Sequence, residues 1–140
     1  MSIWQELENG LFLKMEKVMQ NKYEKAKEEF ERAISVANPS PEAYINMGIY
    51  YARNAQFEDA MYYFRQAIKI DRYNARAYSL WASALVETNE IELAEKFYAE
   101  ANKLSPRDSD IFFNWGVALA RLKKRNEAYE KLKRACFYNQ

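Results

Sequence analysis

The chain has no histidine, a single cysteine at Cys136, and only three glycines and three prolines among its 140 residues. Each shortage removes a class of protein. Without histidine, the commonest general base and the commonest nitrogen ligand for metals are both missing. There is no glycine-rich phosphate loop and no Gly-x-Ser-x-Gly elbow, so neither catalysis nor a cofactor is expected. One cysteine cannot form an intrachain disulfide, which fits a reducing compartment. Scarce glycine and proline leave few places for the turns of an all-β protein, and helices are favoured instead. No apolar run is long enough to cross a bilayer. The opening residues, MSIWQELENG, are acidic where a secretion signal would be basic and then apolar, so a cytoplasmic location is expected.

What is present is apolar and aromatic: 49% hydrophobic residues, with 11 Tyr and 8 Phe. That is enough for a sizeable core in one domain. The formal net charge is +1 but uneven, with seven basic and two acidic residues across 121–140 against seven and ten across 1–60. Near-neutrality argues against nucleic acid as a partner. The basic stretch from Arg121 to Arg134 lacks interleaved stacking aromatics and reads as a solvated helix face.

Ser2 and Gln5 have the spacing of a capping box. Trp4, Leu7, Leu11, Met15 and Val18 then recur every three or four residues, as on one face of a helix. Asn21 with Glu24 reads as a second cap, opening a helix with Tyr23, Ala26, Phe30 and Ala33 on its apolar side. Asn38-Pro39-Ser40-Pro41 stops that helix, and Ser40 caps the next with Pro41 in its first turn. Further breaks are expected near Asn54-Ala55-Gln56, Thr88-Asn89-Glu90 and Lys123-Lys124-Arg125. The pattern predicts about eight helices in antiparallel pairs.

From Pro41 onward the pattern repeats every 34 residues. Tyr44, Tyr78 and Phe112 share a column, as do Met47, Trp81 and Trp115. Gly48, Ala82 and Gly116 stay small, as a close helix crossing requires; Tyr51, Leu85 and Leu119 complete that face. In the second helices Ala60, Ala94 and Ala128 align, then Phe64, Tyr98 and Leu132, then Ala67, Ala101 and Ala135. Trp81 and Trp115 are expected to be buried between helices.

This order of bulky, small, aromatic and alanine positions resembles the tetratricopeptide repeat (TPR) family. The resemblance implies an all-α, right-handed superhelix of helix pairs in one domain: repeats at 41–74, 75–108 and 109–140, and a degenerate capping repeat at 1–40. There Ala26, Phe30 and Ala33 fit, but Lys14 stands at the small position and Lys17 at an apolar one, as suits a solubilising end. The family's concave wall is lined by first helices. Its residues here would be Ile45, Asn46, Ile49 and Arg53, then Ser79, Leu80, Ser83 and Glu87, then Phe113, Asn114, Val117 and Arg121.

These residues point to a non-catalytic scaffold that binds a peptide segment of a partner. Asn46 and Asn114 offer donors and an acceptor to a peptide backbone. Ile45, Ile49, Leu80, Phe113 and Val117 supply apolar pockets, and Arg53, Glu87 and Arg121 form a column of alternating charge. The carboxylate clamp of chaperone co-factors is not matched, because its lysine positions hold Leu11, Arg76 and Asp110. Two alternatives remain. One is self-association through a last helix lacking the usual extra cover, using Tyr129, Leu132 and Cys136; Cys136 there is read as a small apolar residue rather than a nucleophile. The other is a small TPR-type secretion chaperone.

Overall fold

Ser40 and Pro41 open a helix as their chemistry dictates. The Ala43 N–H donates to Ser40 Oγ at 3.3 Å, and Pro41 occupies the first turn, where no amide partner is needed. The computed structural model describes residues 2–139, and among them every regular element is helical. The order is α1 (Ile3–Ile34), α2 (Pro41–Arg53), α3 (Phe57–Ile70), α4 (Ala75–Glu87), α5 (Ile91–Leu104), α6 (Ser109–Arg121) and α7 (Arg125–Tyr138). None is long and apolar enough to cross a membrane.

Helices α2/α3, α4/α5 and α6/α7 form antiparallel pairs joined by one kind of turn. Ala55, Asn89 and Lys123 adopt left-handed backbone angles, with φ of 57°, 65° and 62°. The following amide reaches back to the first helix: Gln56 to Tyr51 at 2.9 Å, Glu90 to Leu85 at 2.8 Å, Lys124 to Leu119 at 2.9 Å. These are Schellman closures, which satisfy carbonyls the helix end leaves open. Only Asn89 is a residue type that takes this conformation readily.

The repeat columns form the core. Ala60, Phe64 and Ala67 are buried, as are Ala94, Tyr98 and Ala101, and Ala128 and Ala135. The small position is small for a steric reason. A Cβ on Gly48 would lie 2.4 Å from Phe64 Cε1, and one on Gly116 would lie 2.7 Å from Leu132 Cγ.

Residues 1–40 depart from expectation. The capping box forms, Ser2 Oγ accepting from the Gln5 amide and Gln5 Oε1 from the Ser2 amide, both at 3.2 Å. Asn21, however, caps nothing: α1 runs unbroken for 32 residues, so the described residues hold seven helices rather than about eight. The cause is steric. A folded-back first helix would set Lys14 against Phe30, where Gly48 meets Phe64 with no room for a methyl group. The first half of α1 therefore extends past the repeats, and Trp4, Leu7, Leu11, Phe12, Met15 and Val18 are exposed on it.

Two smaller expectations also change. Trp81 and Trp115 are half-buried rather than buried. Trp115 lies parallel to Tyr98, 5.7 Å between centroids, and Lys131 Nζ lies over its ring, 3.9 Å from the centroid. Cys136 faces solvent and is not part of the core.

Candidate functional site

The first helices α2, α4 and α6 stand side by side, and each junction is built from residues one repeat apart. Ile45 is 0% exposed, in one apolar cluster with Ala67, Ala77 and Leu80. One repeat later the equivalent pair is polar: Asn114 Nδ2 donates to Ser79 Oγ at 3.3 Å, and Ser79 is 2% exposed. Ile45 and Ser79 are therefore core residues that hold neighbouring repeats together and do not belong to a binding wall.

Ser83 is also engaged. Its hydroxyl donates to the Ser79 carbonyl at 3.2 Å and lies 2.7 Å from the Tyr98 hydroxyl. With its proton committed to the carbonyl, Ser83 accepts from Tyr98. Burial pushes the Tyr98 phenol up to about 12.

The charge column pairs internally at one step. The Arg121 guanidinium grips both Glu87 carboxylate oxygens, Nη2 to Oε2 at 3.1 Å. That hydrogen bond holds the Glu87 carboxyl below its usual value of 4.5 and raises Arg121. A folded-state pKa that is lowered adds stability above about 4.5, lost as pH falls through the folded value. For a pair this exposed the increment is under about 1 kcal/mol. Arg121→Gln is expected to remove it, so the parent's stability advantage over the variant in urea at about pH 7 should shrink at about pH 3. A pH-independent difference would refute the pairing.

Seven of the twelve expected wall residues remain after Ile45, Ser79, Ser83, Glu87 and Arg121 are assigned; Asn114 also serves a junction, and Leu80 is half-buried against Ile45. The rest fall into two groups. At one end Phe113 is 55% exposed, beside exposed Val117, because no first helix follows α6 among the described residues. Phe113 borders a cleft of about 280 Å³ with Asp110, Leu132, Ala135 and Cys136. Of the expected association surface, Leu132 and Cys136 thus line this cleft, while Tyr129 lies outside its lining and is exposed.

At the other end Asn46, Ile49 and Arg53 face a cleft of about 380 Å³ whose other wall is α1, through Tyr23, Ala26 and Phe30. Neither Asn46 nor Arg53 has a hydrogen-bond or ion-pair partner among the described residues. A second cleft of about 770 Å³ continues along the extension of α1, lined by Phe12, Met15, Met19, Tyr23, Tyr50 and Asn54. Sequence reasoning missed this α1 wall because it placed a helix pair there. One signal was available: Tyr50 stands where the later repeats have Ala84 and Ala118.

Two family models, both described as tetratricopeptide repeat, match residues 51–112 and 16–75. The chain is 31% identical over 91 residues to the type IV pilus assembly protein PilF of Pseudomonas aeruginosa, covering 65% of this chain and 36% of that protein. It thus spans little more than a third of that relative. The crystal structure of YrrB, described as a TPR protein with an unusual peptide-binding site, superposes with a TM-score of 0.66 at 23% identity, over 86% of this chain and 62% of that one. The second TPR of Spaghetti, bound to an HSP90 peptide, gives 0.60 at 24% identity, over 81% and 98%. At these identities the two structures establish the solenoid fold alone.

Proposed function

The chain belongs to the tetratricopeptide repeat family, and from that premise we propose that it is a non-catalytic scaffold holding a segment of a partner protein against its wall of first helices. The observation that carries this reading is Phe113. It is a large aromatic residue, 55% exposed, in the column where Ile45 and Ser79 are sealed. With Val117 and the cleft beside α7 it offers an apolar anchor surrounded by polar groups, the usual composition of a recognition pocket. PilF and YrrB lend support as relatives whose descriptions involve assembly and peptide binding.

The test is a pull-down with the parent chain, followed by Phe113→Glu. Phe113 lies outside the core, so the variant should fold normally by circular dichroism. A recovered partner is expected to bind it at least tenfold more weakly. Equal binding would show that the wall is not the docking surface.

A second reading has its own observation. Tyr129 and Phe137 on α7 are each 63% exposed, with Cys136 exposed between them in sequence. An aromatic face of this kind suits association with another copy of α7. Light scattering that reports a monomer at high concentration sinks it.

A further inference from the structure

Helix α4 is received by its neighbours through three features: the Ser79 hydroxyl under Asn114 of α6, the small Ala82 in one cluster with Ala94 and Tyr98 of α5, and the Glu87 carboxylate under Arg121 of α6. The side of α2 that faces α1 repeats the receiving half of the junction between α4 and α6. Asn46 stands in the column of Asn114, Arg53 in that of Arg121, and Ile49 in that of Val117. Here, though, no helix is received. Asn46, Ile49 and Arg53 face the open cleft of about 380 Å³, with Phe30 on its far wall.

The chain's own residues one repeat earlier do not suit this place. Leu11 replaces Ser79 and brings no acceptor to Asn46. Met19 replaces Glu87 and brings no charge to Arg53. Lys14 replaces Ala82 and would drive a long side chain into Phe30. All three mismatches fall at contact positions, and α1 stays straight.

We propose that this vacant first-helix slot receives one amphipathic helix from a partner protein, built on the pattern of α4: a hydrogen-bond acceptor, a small residue three positions on, and a carboxylate five positions beyond that. The acceptor meets Asn46, the small residue faces Phe30, and the carboxylate pairs with Arg53. Tyr50, whose ring meets Phe30 edge-on at 6.5 Å, forms an aromatic floor. The exposed Phe12, Met15 and Met19 on the extension of α1 cover the helix from the side. Methionines adapt to varied apolar partners, and a groove of this composition takes a helix through its apolar face. The proposal rests on the scaffold reading but uses a different surface from Phe113.

A fluorescein-labelled synthetic peptide with the sequence of residues 75–87, ARAYSLWASALVE, is titrated with the intact chain and followed by anisotropy. Saturable binding is expected, at least tenfold weaker to Arg53→Glu and no weaker to Phe113→Glu. A peptide with arginine at its last position should recover affinity for Arg53→Glu, because the charges are exchanged. No saturation up to about 1 mM would overturn the slot, as would equal affinity for parent and Arg53→Glu, or failure of the exchanged pair. Loss on Phe113→Glu with Arg53→Glu silent would also overturn it, yet leave the scaffold reading standing.

Discussion

Tyr98→Ala is expected to cost about 3–5 kcal/mol, the range for a large aromatic removed from a core. Tyr98 is 1% exposed and joins three elements. Its ring stacks on Trp115 of α6, its hydroxyl lies 2.7 Å from Ser83 of α4, and it extends from α5. Truncation therefore opens a cavity between two repeats and leaves Ser83 short of a donor. Tyr98→Phe isolates the second part and should cost about 1 kcal/mol. The parent should also lose stability as pH rises from 10 toward 12, because a phenol held up to about 12 favours folding below its unfolded value and loses that contribution as it ionises. Tyr98→Phe should show a smaller alkaline step, the remainder coming from Tyr63, which burial also raises. Urea unfolding at neutral and alkaline pH measures both effects.

Gly48→Ala should destabilise, although alanine in a helix interior is ordinarily worth about 1 kcal/mol more than glycine. The new methyl would lie 2.4 Å from Cε1, 2.7 Å from Cδ1 and 2.9 Å from Cζ of Phe64. Those atoms belong to a rigid ring that is 1% exposed, so it cannot swing into solvent. A net loss of about 1–3 kcal/mol is expected, typical of overpacking, and Gly48→Leu should cost more. Phe64→Leu should relieve part of the clash, giving a coupling energy in a double-mutant cycle. Gly10→Ala provides the opposite sign: nothing lies within 4 Å of its Cβ position, so helix propensity acts alone and the change should stabilise α1.

These two sites show why the repeat was legible in the sequence. Burial at Tyr98 and close approach at Gly48 are requirements of one helix pair, and they recur every 34 residues in residue size and type. The expected turns at Ala55, Asn89 and Lys123 and the cap at Ser40 are local in the same way. Ile45 and Ser79 were misassigned for the converse reason. They lie beside the packing stripe of their own helix, where periodicity predicts exposure, and are sealed by Leu80 and Asn114 of the next repeat. No single helix carries that information. The pairing of Glu87 with Arg121 spans repeats as well, and the alternating charges of that column gave only a hint of it.

Residues 1–40 failed differently. Asn21 and Glu24 have the spacing of a cap, but a cap acts only where the helix has a reason to stop. Lys14 at the crossing position has the polarity of a solubilising feature. Its larger consequence is steric: it prevents the first half of α1 from folding onto the second, and so leaves Asn46 and Arg53 facing a cleft.

That straight helix decides the matter, and a spin-label distance measures it. Labels are placed at Gln5 and Arg32 after Cys136→Ser removes the native thiol. Over 27 residues at 1.5 Å each, a continuous helix separates their backbones by about 40 Å. A single population near that distance is expected. A population below about 20 Å would mean that α1 folds back as a hairpin and fills the slot itself.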